Sequence, residues 1–281
     1  MCRHNGLMTS DPAALTPFSD IDKRPPEFVA LLLAALEAMA VVPEIQRVRQ
    51  VAREALRPAP GQRLLDAGCG AGEVARQLAG EVEPGEVVAL DLSAATLTAA
   101  VDRHDGSKVS YIEGDISALD FPDSHFDGVR CERVLQHVPD PDRAVAELVR
   151  VTRPGGRVCL VDTDWESMTV DGLPDHLVTL FKAHLYGRVM REQPGIGRTL
   201  RRRLTRAGAV DIEAMPVTCY FATPGASISV LPMFDPQLAG RIGIIPDDIH
   251  DEWFTAVEAA AARGEFLAAL TIWVVVGTRP N

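Results

Sequence analysis

Apolar runs of strand length occupy positions 63–67, 86–91, 108–112, 126–131 and 156–162, and the stretches 72–80, 94–103 and 141–152 between them carry apolar residues at helical spacing. A strand that pairs in parallel with the next needs a crossover long enough to hold a helix. The alternation therefore predicts a parallel sheet covered by helices on both faces. Two later runs, near 210–221 and 267–277, complete a seven-stranded, mostly parallel α/β sheet. Ahead of the first strand, residues 27–56 show helical spacing in two parts, with Pro43 starting the second and Pro58-Ala-Pro-Gly61 closing it.

Two kinds of segment break this rhythm. Residues 164–197 carry Trp165, Met168, Phe181, Tyr186 and Met190, which predicts a cap over one end of the sheet, joined by a late insertion at 223–262. The first 25 residues hold Pro12, Pro17 and Pro25 among small and polar residues, which predicts an extended leader. The expected organisation is a flexible leader at 1–25 and one domain at 26–281. That domain comprises N-terminal helices (26–58), a cofactor-binding core (61–163) and the two cap segments.

Composition narrows the partners. A 281-residue chain with 47% hydrophobic and 24% charged residues can bury a full core. Its net charge of −11 repels phosphate backbones, and its one dense basic run, Arg198 to Arg206, reads as a solvated helix face, so no nucleic-acid partner is expected. Cysteines at 2, 69, 131, 159 and 219 are too scattered for a zinc site, and no metal is expected. The N-terminus lacks an apolar signal core and the apolar stretch Phe266 to Val276 is too short to span a bilayer, which points to a cytoplasmic protein without a membrane role. Oligomeric state is left open.

The chemistry gathers at strand ends. The first strand runs into LLDAGCGAGE, Leu64 to Glu73, a glycine turn at the carboxyl edge where open sheets bind ligands. A dinucleotide loop would need GxGxxG spacing, but Gly68, Gly70 and Gly72 follow GxGxG and Glu73 stands where that loop's third glycine belongs. Asp66 also places a carboxylate beside the loop, which disfavours a pyrophosphate and favours a ligand carrying an ammonium and a sulfonium. The second strand ends in Asp91, an acid able to accept from both ribose hydroxyls, and the third ends in Gly114-Asp115-Ile116.

LDAGCGAGE resembles the first cofactor motif of the class I S-adenosylmethionine-dependent methyltransferases, whose sheet is Rossmann-like. The stretch from His125 through Arg153-Pro-Gly-Gly156 resembles the small-molecule, ubiquinone-biosynthesis-like (methyltransferase type 11) group. The resemblance implies S-adenosylmethionine as cofactor. It places Asp66, Ala67, Gly68, Cys69 and Gly70 at the methionine and ribose portion, Asp91 at the ribose, Leu92 within the same cofactor site, and Thr96, Gly114, Asp115 and Ile116 around the adenine. It further implies that the Cys131 backbone contacts the methionine end, with Gln136 or His137 just beyond it, facing either cofactor or substrate. No Asn/Asp-Pro-Pro-Tyr/Phe tetrad follows the fourth strand, where Arg130-Cys-Glu-Arg133 stands, so a small-molecule acceptor is favoured over nucleic acid.

Methyl transfer from a sulfonium is an in-line displacement that depends mainly on alignment. A hydroxyl acceptor would also need a base, for which His137 ranks first, ahead of His184 and Asp164. Trp165, Tyr186, Met190 and Phe234 are the expected lining of a pocket for a small, hydrophobic acceptor of the kind met in bacterial secondary metabolism. One rival reading is a methyltransferase-shaped protein that holds its cofactor structurally while catalysing a cyclisation or isomerisation. The other, a nicotinamide oxidoreductase, is disfavoured by Glu73.

Overall fold

The computed structural model describes residues 21–189 and 193–281. Among them, seven strands form one sheet in the order β3-β2-β1-β4-β5-β7-β6: β1 (Arg63–Ala67), β2 (Glu86–Asp91), β3 (Val109–Glu113), β4 (Phe126–Glu132), β5 (Thr152–Asp171), β6 (Val210–Phe221) and β7 (Leu267–Thr278). Neighbours from β3 to β5 pair in parallel, and β7 lies antiparallel between β5 and β6. The expected α/β, Rossmann-like architecture is therefore present. The order reverses at β1, so β1 and β4 open a crevice at their carboxyl ends.

Helices α1 (Pro26–Ala40) and α2 (Pro43–Leu56) precede β1, and α3 (Glu73–Val82), α4 (Ala94–Asp102) and α5 (Pro141–Val151) lie between the parallel strands. Alternate residues of each central strand go to opposite faces. Leu64, Val87, Ala89 and Val161 join Val48, Ala52 and Leu56 of α2 and Leu78 of α3 in one apolar cluster. Leu65, Val88, Leu90, Val129 and Leu160 join Val145 and Leu148 of α5 in the other. At about 1.5–3 kcal/mol for each fully buried aliphatic side chain, these two layers fix the strand ends that carry the site.

Three features differ from the sequence reading. Residues 164–171, expected in the cap, extend β5: after a register shift between Asp164 and Thr169, the pairing with β7 continues to Asp171 opposite Leu267. Helical structure resumes in α6 (Asp175–His184), a π-helical turn at Leu185–Val189 and α7 (Ile196–Arg206), followed by the short α8 (Pro224–Ser227), α9 (Pro236–Ile242) and α10 (His250–Arg263). Arg203, inside the basic run expected to be solvated, is 7% exposed and ties α7 to α5 through Asp142 at 2.6 Å. Finally, Ile21–Lys23 form a 3-10 turn with Ile21 buried, so packed structure begins within the expected leader. Residues 1–20 of that leader, and Met190 of the expected pocket, lie outside the described residues.

Among the described residues no single helix is long and apolar enough to cross a membrane, and no group of His, Cys, Asp and Glu is arranged to hold a metal ion. Cys69, Cys131, Cys159 and Cys219 are free.

Candidate functional site

The turn after β1 is shaped by glycine. Gly68 has φ +77°, and a Cβ there would lie 2.2 Å from Val134 Cγ2, so only hydrogen fits. The Gly68 and Cys69 N–H groups donate to the Leu90 carbonyl at 2.7 and 3.0 Å, which pins the turn to the end of β2. Gly70, at φ +51°, donates its N–H to Asp91 Oδ2 at 2.8 Å, and Asp91 Oδ1 accepts from Ser93 N at 3.0 Å. Asp91 thus stands at the junction of β2, the glycine turn and the start of α4.

Around it, the expected adenosine residues divide. Leu92 is 69% exposed, a large apolar side chain left uncovered beside a carboxylate. Gly114 joins this edge through its N–H, which donates to the Asp91 carbonyl at 2.9 Å. Asp115 is exposed and accepts from Ser117 N at 2.7 Å. Ile116, by contrast, is 5% exposed and belongs to the core with Leu90 and Leu135. Thr96 is also buried. Its hydroxyl donates to the Ser93 carbonyl at 2.9 Å, so it serves the first turn of α4, and Leu92 is the side chain that offers an apolar surface.

Asp66 requires a correction to the electrostatic reading. It is 1% exposed and forms a 3.0 Å ion pair with Arg130, its cross-strand neighbour on β4, so its charge is balanced inside the protein. Arg130 also pairs with Glu132, which accepts from Arg49 Nε at 3.2 Å, and Arg49 reaches Glu73 at 2.8 Å. The network ties α2 to β4 and to the start of α3. The anionic rim of this edge is left to the half-buried Asp91 and the exposed Glu113 and Asp115. Asp66 Oδ2, however, is buried without a hydrogen-bond partner. Ala67, at the end of β1, is fully buried. Burial, then Asp66 and Asp91, push the Cys69 thiol well above its ordinary range, so it stays neutral.

On the far side of the crevice, β4 ends and a 3-10 turn, Leu135–His137, begins. Cys131 is buried with its thiol pushed well up, chiefly by desolvation, so only its backbone can serve a ligand. Gln136 Oε1 accepts from Trp165 Nε1 at 2.8 Å, and its Nε2 donates to the Arg133 carbonyl at 3.1 Å. The Trp165 carbonyl accepts from the Tyr186 hydroxyl at 2.8 Å. Trp165 and Tyr186 are both half-buried, and together with Gln136 they form one hydrogen-bonded wall. Phe234 does not join it. It is 2% exposed, stacked on Trp253 at 5.8 Å and edge-on to Phe266 at 5.0 Å, while Phe181 packs on the same indole at 4.7 Å. These rings pack on one another in the core beneath the late insertion.

Comparison with known proteins identifies the family. Residues 65–160 match the methyltransferase domain family. Over 245 residues, 86% of this chain and 69% of the other, the chain is 35% identical to an uncharacterised 37.1 kDa protein in transposon Tn4556 of Streptomyces fradiae. It is 33% identical over 151 residues to the demethylmenaquinone methyltransferase of Renibacterium salmoninarum, covering 51% of this chain and 62% of that enzyme. The chain belongs to the class I S-adenosylmethionine-dependent methyltransferases. S-adenosylmethionine is its cofactor. The solved [4+2]-cyclase SpnF shares the fold, with a TM-score of 0.52 and 22% identity over 84% of this chain and 81% of that one.

The base expected for this methyltransferase is not supported by its surroundings. Burial and then the Arg133 charge hold the His137 imidazole down at about 4, too weakly basic to remove a proton efficiently at neutral pH. The folded protein binds this proton less readily than the unfolded chain. The residue's contribution to stability is therefore complete above its ordinary value of 6.5 and is lost as the pH falls toward 4. Relative to the parent, His137→Gln is expected to gain about 2 kcal/mol between roughly pH 7 and pH 5, read from denaturant unfolding at both values. Of the other candidates, His184 is half-buried and bonded to the Gly243 carbonyl at 2.9 Å. Asp164 is buried 3.6 Å from Arg198, with its carboxyl raised by desolvation.

Two residues at the site carried no motif. Asp22 accepts from Ser93 Oγ at 2.8 Å and from the Ala94 and Ala95 N–H groups at 3.1 and 3.0 Å, bringing the first turn against the start of α4 beside Leu92. Only the fold discloses it, since the partners are more than seventy residues apart. Asp162, fully buried in β5, did have a signal: like Asp66 and Asp91, it follows an apolar strand run.

Proposed function

We propose that this chain transfers the methyl group of S-adenosylmethionine to a small, mostly apolar metabolite, in the cytoplasm and within bacterial secondary metabolism. The observation that carries the reading is the Asp91 carboxylate, hydrogen-bonded to Gly70 N of the glycine turn and flanked by the exposed Leu92. A carboxylate there can accept from ribose hydroxyls, while Leu92 and the Gly114–Asp115 edge take the adenine. The glycine turn from Gly68 to Gly70 would lie against the methionine portion, and the unpartnered Asp66 Oδ2 would accept from its ammonium. The cofactor supplies an electrophilic methyl group on a sulfonium. The chain's part is to align the acceptor and exclude water, which at a well-oriented site is worth up to ~7–11 kcal/mol.

Trp165 and Tyr186, tied to Gln136, suit a planar or aliphatic acceptor face. The low basicity of His137 favours acceptors that need no strong base: an electron-rich carbon, an amine or an acidic phenol. The partial similarity to a demethylmenaquinone methyltransferase makes quinols a first class to try. The test is mass spectrometry of quinols, naphthols and lipophilic amines incubated with the purified chain and S-adenosylmethionine. A gain of one methyl group supports the reading. A rearranged product of unchanged mass, with the cofactor unconsumed, would transfer the chain to the cyclase-like reading.

A further inference from the structure

Asp162 lies in β5 at the carboxyl edge of the sheet and is 0% exposed. Its Oδ1 accepts from Thr163 N at 2.9 Å and its Oδ2 from Gln136 N at 3.2 Å, which fastens the Leu135–His137 turn to β5. From that turn the bonding runs outward without a break. The Gln136 side chain receives the Trp165 indole N–H at 2.8 Å and the Trp165 carbonyl receives the Tyr186 hydroxyl at 2.8 Å, on the π-helical turn. A buried carboxylate is costly to desolvate, and burial pushes the Asp162 carboxyl up to about 7. What the carboxylate adds is acceptors for two backbone N–H groups.

We propose that Asp162 is a positioning residue for the methyl acceptor, fixing the Leu135–His137 turn and, through Gln136, the orientation of the Trp165 ring that walls the acceptor space. The proposal rests on the methyltransferase reading above. Asp162 touches neither cofactor nor acceptor, so its removal acts on acceptor binding and leaves the Asp91 side of the crevice alone.

Asp162→Asn keeps the shape and turns one acceptor oxygen into an N–H donor facing another donor. The expected result is an acceptor KM raised about tenfold with a smaller fall in kcat, and an S-adenosylhomocysteine affinity within about twofold of the parent. Gln136→Ala, which leaves the carboxylate in place, is expected to raise KM similarly. The double variant should be no worse than either single one, because both cut the same path.

A second readout needs no acceptor: acrylamide quenching of Trp165, taken as the difference between each protein and its Trp165→Phe counterpart. It should rise in Asp162→Asn and in Gln136→Ala. An unchanged KM and unchanged quenching in Asp162→Asn, or a loss of cofactor affinity equal to the loss in KM, would overturn the proposal. Failure of the underlying reading looks different, because the parent itself would then neither bind S-adenosylhomocysteine nor methylate. If Asp162→Asn does not fold, the quenching of Gln136→Ala decides, and an unchanged value there overturns the proposal.

Discussion

Gly68→Ala should lower S-adenosylhomocysteine affinity by about a hundredfold or more, the largest effect expected of any single methyl group in this chain. A non-glycine residue at φ +77° costs roughly 1–2 kcal/mol. The added carbon would also sit 2.2 Å from Val134 Cγ2, an overlap of the kind that costs about 1–3 kcal/mol when a packed region must shift. Movement of the turn away from Val134 withdraws the Gly68–Gly70 backbone from where it must meet the cofactor. Gly61 supplies the control: it also has positive φ, at +85°, but nothing lies within 4 Å of its missing Cβ. Gly61→Ala should therefore lose some stability and keep its affinity. Calorimetric titration of both variants checks the contrast, and a Gly68→Ala affinity within threefold of the parent would refute it.

Asp91→Ala comes second, with affinity reduced at least about tenfold while the protein stays folded. The carboxylate holds Gly70 N and Ser93 N, and each hydrogen bond to a charged acceptor is worth about 1.5–3 kcal/mol. Its loss both loosens the turn and removes the acceptor for the ribose. A 2′-deoxy analogue of S-adenosylhomocysteine separates these effects. The parent should bind the analogue more weakly than the natural ligand, whereas Asp91→Ala should bind the two alike, since the partner of the missing hydroxyl is already gone. Equal discrimination in both proteins would place the ribose elsewhere.

The features legible in the sequence are those with a local period. The runs at 63–67 and 86–91 became β1 and β2 because short apolar segments bounded by glycine and polar residues have few other ways to be buried. The glycine turn was legible because GxGxG after a strand supplies the positive φ that other residues rarely adopt. The sequence places Asp66 beside the glycine turn, but its ion pair with Arg130 depends on the register that sets the two residues side by side on β1 and β4, which no local pattern encodes. Phe234 has the same difficulty in another form: an aromatic residue lining a cavity and one filling it leave the same trace in a sequence, and only packing against Trp253 and Phe266 separates them. The extension of β5 through Asp171 was hidden because Asp164, Glu166 and Ser167 interrupt its alternation at the register shift.

The central claim is that an adenosyl group lies at the carboxyl ends of β1, β2 and β3, with its ribose on Asp91. A crystal structure of the chain grown with S-adenosylhomocysteine tests this most directly. The expected density has the ribose hydroxyls on the Asp91 carboxylate, the adenine against Leu92 and the ammonium within reach of Asp66 Oδ2. Density for the ligand at any other edge of the sheet, with Asp91 still bonded only to Gly70 and Ser93, would contradict it.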